Sequence, residues 1–82
     1  MTLGKAFSIR FNELLSKDKE KRSLYKFLKD NCIARSTIIN ILDGKTKSPT
    51  LAIIYQVAYA FSISPIEFLI HPTMLNSEIE FM

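Results

Sequence analysis

The sequence predicts an all-α fold, one compact domain of five helices. Three observations carry that expectation. Apolar residues recur three and four apart along most of the chain, the period of a helix face. The 82 residues include only 2 Gly and 3 Pro, too few for the tight turns of an all-β fold. Pro49 and Pro65 each follow a serine, an arrangement that opens a helix, because the missing N–H costs nothing at the first helical position. A chain of this length buries roughly 60–65% of the surface its unfolded form exposes, enough for a single core.

Phe7, Phe11, Leu14 and Leu15 fall at i, i+4, i+7 and i+8 and give the first helix, residues 4–16. Lys17–Arg22 has no apolar residue and reads as a loop or a frayed extension of that helix. Ser23 caps the second helix, which runs to Asp30 with Leu24, Phe27 and Leu28 on its buried side. A break of four residues, 31–34, precedes the third helix, residues 35–43, with Ile38, Ile41 and Leu42 inward. Gly44 stands just past its end, where a left-handed residue terminates helices. Ser48-Pro49 opens the fourth helix, whose core face is Leu51, Ile54, Ala58 and Phe61, with Val57 alongside. Ser64-Pro65-Ile66-Glu67 is a capping box that starts a fifth helix, residues 65–70, ended by His71-Pro72. Leu75, Ile79 and Met82 share one helical face, so residues 71–82 form a sixth amphipathic turn, a tail or a dimerisation element beyond a domain of residues 1–70.

Composition narrows the function. One Cys excludes an intramolecular disulfide framework and fits a reducing cytoplasm. One His and one Cys exclude zinc-finger ligation, and no cofactor is expected. Met1–Lys5 does not read as a signal peptide, and Leu51–Phe61, interrupted by Gln56, is well short of the roughly 20 residues of a membrane span. The net charge of +3 is unevenly spread. All 11 Lys and Arg lie within residues 1–47 beside five acidic residues, so that part carries +6, whereas residues 48–82 carry three Glu and no Lys or Arg. A basic half suits a polyanionic partner.

The second and third helices, separated by four residues and followed by a basic loop, have the spacing of a helix-turn-helix. In that geometry the first helix braces across the DNA backbone and the second enters the major groove, which is just wide enough for one helix. Side chains that reach base edges lie at the second helix's N-terminal end. Here that end reads Ala34-Arg35-Ser36-Thr37, with Asn40 one turn on. Arg bonds guanine through two donors and Asn bonds adenine. Arg35, Ser36 and Asn40 lie off the Ile38/Ile41 stripe, as groove contacts must. Lys45, Thr46 and Lys47 follow as phosphate clamps, which add affinity without sequence information. Cys32 reads as a small buried residue, His71 as a helix end, and Tyr55 and Tyr59 as half-buried packing or a dimer surface.

The string Ile33-Ala34-Arg35-Ser36-Thr37-Ile38-Ile39-Asn40-Ile41-Leu42-Asp43-Gly44-Lys45-Thr46-Lys47-Ser48-Pro49-Thr50-Leu51 resembles the lambda-repressor/Cro-like (Xre-type) helix-turn-helix family. So do Leu24–Leu28, Val57–Phe61 and Ile63–Leu69, and the resemblance spans about residues 5–70. It implies a lambda-repressor-like five-helix domain binding double-stranded operator DNA, usually as a homodimer on a palindrome. By the resemblance, Arg35, Ser36, Ile39 and Asn40 contact bases, with Ala34 flanking. Leu24, Tyr25, Thr37, Lys45, Thr46 and Lys47 fall on the phosphate positions. The chain departs from the family pattern in several places. Leu24 replaces a Gln, so that phosphate contact falls to a backbone N–H or to Tyr25. Cys32 replaces the turn glycine, so a left-handed residue there is either Cys32 or, at less strain, Asn31. Leu28 replaces a small Ala, Leu42 a Glu, and the loop before the second helix is about two residues longer.

The function expected is therefore a sequence-specific transcriptional regulator. The alternative is a protein-interaction module of the same fold that reads no DNA, such as a partner subunit in a toxin–antitoxin pair, which Leu24, Ile39 and the apolar tail favour. No enzyme is expected: paired carboxylates, a metal set and Cys–His spacing are missing from the sequence, and no small-molecule substrate is evident.

Overall fold

A computed structural model describes residues 2–75. Among them the regular structure is helical: α1 (Leu3–Ser16), α2 (Leu24–Asp30), α3 (Arg35–Leu42), α4 (Leu51–Ala60), α5 (Pro65–Leu69) and α6 (Pro72–Leu75). The described helices number six rather than the five expected. The sixth is the short turn left open after His71, and Met74 on it is buried in the core. Leu75 is exposed, while Ile79 and Met82 lie outside the described residues.

Helix starts follow side-chain chemistry. Thr2 accepts from the Lys5 N–H, Ser23 from Lys26, Thr50 from Ile53 and Ser64 from Glu67, each satisfying one orphan donor of a first turn. The fourth helix begins two residues later than Ser48-Pro49 suggests. Thr50 takes the cap, Pro49 is buried in the preceding loop, and Ser48 Oγ is buried without a hydrogen-bond partner. As the first residue of α4, Leu51 lies beyond the edge of the core and is 63% exposed, contrary to its expected inward position; Ile53 is buried instead.

Three helices end alike. After α3, Gly44 (φ 80) donates to the Ile41 carbonyl and Lys45 to that of Asn40. After α2, Cys32 (φ 54) donates to Lys29 and Ile33 to Leu28; after α4, Ser62 (φ 61) donates to Tyr59 and Ile63 to Ala58. All three are Schellman motifs, which need a left-handed residue, and glycine supplies it only after α3. In the α2–α3 turn that residue is therefore Cys32. Asn31 stays at φ −106 and its amide donates to the Phe27 carbonyl. The Cys32 side chain is exposed rather than buried.

The core is an aromatic chain filled in by aliphatics. Phe68 packs on Phe7, Phe7 on Phe11, and Phe11 on both Phe27 and Phe61, with ring centroids 5.5–6.1 Å apart. Phe27 and Phe61 stack at 4.4 Å. Leu28, Ile38, Ile41, Ile54 and Val57 close around it. The effect on α3 is decisive: Ile38 and Ile41 anchor one flank at 0% and 2% exposure, which fixes the other flank outward.

Candidate nucleic-acid interface

The outward flank of α3 begins with Arg35 and Ser36, both exposed, and continues through Thr37, Ile39 and Asn40, which are half-buried. Ala34, the residue before α3, caps nothing through its side chain. Of α1 to α5, α3 alone starts without a side-chain cap. Tyr25, on the first turn of α2, is 56% exposed, and the Arg35 guanidinium lies over its ring, 4.8 Å from the centroid. Leu24 packs its side chain against the core, so only its backbone remains to meet an anion.

The basic loop is tied to both neighbours. The Asn40 carbonyl accepts from the N–H groups of Lys45 and Thr46 at 2.9 and 3.0 Å. These two donors are therefore spent within the fold, and Lys45 and Thr46 meet a partner only through their side chains. On its other side the loop meets α1: the Gly4 N–H donates to the Lys47 carbonyl at 2.7 Å. Ser8 fastens the same junction, donating to Gly4 and, at 3.4 Å, to the Ile41 carbonyl. This docking creates a depression of about 320 Å³ lined by Lys5, Gly44, Thr46 and Lys47 among others. Lys5, exposed, thus lines the same depression as Lys47. Sequence reasoning missed Lys5. No local signal places it, because the contact that brings it there joins Gly4 to Lys47, more than forty residues apart.

Several cations of the basic half have structural tasks. Arg22 grips Asp18 with two side-chain bonds, 3.0 and 3.1 Å, and lies 5.0 Å over the Phe27 ring. The grip holds the Asp18 carboxyl down to about 2 and pushes the Arg22 guanidinium up. Lys26 bonds Asp30 at 2.9 Å and holds its carboxyl below the usual range, with Arg22 adding to the effect. Arg10 bonds Glu13 and the carbonyls of Glu67 and Phe68, joining α1 to α5. His71 faces the same Glu13 through Nε2 at 3.4 Å, while its Nδ1 accepts from Thr73. Arg10, Arg22 and Lys26 are therefore engaged within the fold, and the positive surface is narrower than the charge count implies.

Tyr55 and Tyr59 are 44% and 66% exposed, an outward stripe on α4 with Leu51 rather than half-buried packing. Among the described residues no cluster of His, Cys, Asp and Glu is arranged to hold a metal ion, and no helix is long and apolar enough to cross a membrane. Compared with known proteins, the chain matches no family model, no curated protein and no solved structure.

Proposed function

We propose that this protein is a sequence-specific DNA-binding transcriptional regulator of the Xre/Cro-like helix-turn-helix type. In this reading α2 braces across the backbone and α3 enters the major groove, with Arg35, Ser36, Ile39 and Asn40 toward the bases. Side chains of Tyr25, Thr37, Lys45, Thr46 and Lys47, and the backbone of Leu24, meet phosphates. The observation that carries it is the division of α3 into a flank anchored by Ile38 and Ile41 and an outward polar flank that starts at an uncapped helix end. Open N–H groups and the positive end of the helix dipole favour an anion there. The dipole disfavours Arg35 at that position unless an anionic partner compensates. A homodimer on a palindromic site completes the proposal. Selection of bound sequences from random duplex DNA tests it. The expected result is a motif with two-fold symmetry and half-sites about one helical turn apart; failure to shift any duplex at low salt rejects it.

One set of observations favours a second reading, a protein-interaction module. Leu51 and Tyr59 on α4, Ile66 on α5, Ile70 just past its end, and Leu75 on α6 are each more than 60% exposed. Apolar surface of this kind marks partner-binding faces when it is contiguous. A protein that binds no duplex yet forms a stable complex with a protein partner fits this alternative.

A further inference from the structure

We propose that Tyr25 is a positioning residue for Arg35: its ring holds the guanidinium at the head of α3 with the donor edge turned to the groove, so that Tyr25 governs base preference without touching a base. The proposal rests on the DNA-binding reading and gives Tyr25 a second role beside its phosphate contact.

Among the described residues three arginines lie over aromatic rings: Arg10 over Phe68, Arg22 over Phe27 and Arg35 over Tyr25. The first two have side chains only 11% and 15% exposed and are also bonded to carboxylates, so they serve the core. The third pair is on the surface, and no carboxylate of the described residues pairs with Arg35. An exposed cation–π contact adds little stability, so the pair has small value as a fastener. Its value is geometric. A ring attracts the flat face of a guanidinium, while guanine is read through the in-plane N–H donors. The two interactions use different parts of one group and are compatible at the same time. An Arg side chain otherwise samples many rotamers and loses that freedom on reaching a base. The Tyr25 ring restricts it beforehand, and the Schellman turn between α2 and α3 keeps the ring at a set distance from the head of α3.

The test uses the full chain and a duplex taken from the random-sequence selection. Three proteins are compared at one salt concentration and across a salt series: wild type, Tyr25→Phe and Tyr25→Ala. Tyr25→Ala is expected to lower the ratio of specific to random-duplex affinity roughly two- to fivefold at the base read by Arg35, with the salt slope unchanged. Tyr25→Phe, which keeps the ring, is expected to retain the wild-type ratio. In the free protein, proton NMR is expected to show ring-current-shifted Arg35 side-chain signals in wild type and Tyr25→Phe and unshifted ones in Tyr25→Ala. Loss of affinity for all sequences alike in both variants, with the wild-type ratio kept in Tyr25→Ala, limits Tyr25 to a phosphate contact and overturns the proposal. A gain in affinity on Tyr25→Ala overturns it too, because the ring then withholds Arg35. An unshifted Arg35 in the free wild type removes its structural basis. A wild type that shifts no duplex rejects the DNA-binding reading itself and the proposal with it, an outcome recognised before any variant is compared.

Discussion

The backbone N–H of Gly4 and the carbonyl oxygen of Lys47 are 2.7 Å apart, and a Cβ placed on Gly4 would stand 2.7 Å from that same oxygen. The obstacle is backbone, which cannot rotate aside as a side chain does. Gly4→Ala is therefore expected to destabilise the protein by about 1–3 kcal/mol, the usual cost of overpacking, although alanine is the better helix former. Thermal unfolding checks it. A rise in midpoint would show that α1 and the loop separate at no cost.

The α2–α3 turn offers the opposite experiment. Cys32 occupies the left-handed position of a Schellman motif at φ 54, and its side chain is exposed. A left-handed L-residue costs about 1–2 kcal/mol, and glycine returns part of that gain through the greater entropy of its unfolded chain. Cys32→Gly is expected to stabilise the fold by about 0.5–1 kcal/mol, read from urea midpoints. Cys32→Ala, which retains a Cβ, is expected to change little. Equal effects of the two would refute strain as the cause.

Acid stability follows from Asp18. Its carboxyl sits at about 2 rather than 3.8, chiefly because the Arg22 guanidinium bonds it, aided by the Arg22 backbone N–H. The folded value lies below the unfolded one, so the contribution is complete above the ordinary carboxylate range and is lost as pH falls toward 2. Asp30, lowered by Lys26, acts in the same direction. Urea midpoints of wild type are expected to fall across this interval. Those of Asp18→Asn are expected to start lower at neutral pH and to fall less. Parallel curves would deny Asp18 its role.

Much of this architecture is legible in the sequence, and the parts that are not share a cause. Ser23 and Ser64 announce their helices because capping is local chemistry, and the Ile38/Ile41 period fixes which flank of α3 faces out. The start of α4 is ambiguous in the sequence because Ser48 and Thr50 are both competent caps, and the choice of Thr50 coincides with a loop docked on Gly4, more than forty residues upstream. Leu51 followed that shift out of the core. The sequence leaves the left-handed residue open between Cys32 and Asn31 because Asn tolerates positive φ better in isolation, whereas the hydrogen bonds of Cys32 and Ile33 to the end of α2 select Cys32 by position. Lys5 lines the same depression as Lys47 through the same long-range docking. Charge counting does not separate Arg10, Arg22 and Lys26, engaged within the fold, from exposed cations such as Arg35 and Lys5.

If α3 enters a major groove, the cations around it divide into two classes. Arg35 stands at the head of the helix, where base edges come within reach. Lys5, Lys45 and Lys47 stand at the other end, around the loop and the start of α1, where only the backbone of the duplex passes. Arg35→Ala is expected to relax preference at one base pair by about 1–3 kcal/mol while leaving affinity for random duplex little changed. Lys5→Ala is expected to weaken every sequence alike and to reduce the salt slope by about 1, from a wild-type value on the order of three to five released counterions per subunit. Titrations of specific and random duplexes over a salt series separate the two classes. Lys5→Ala is the more exacting variant, because the position was assigned from the docking of α1 alone. Should it leave the slope intact while Lys45→Ala reduces it, the duplex runs past the loop without reaching α1, and the interface ends at the basic loop.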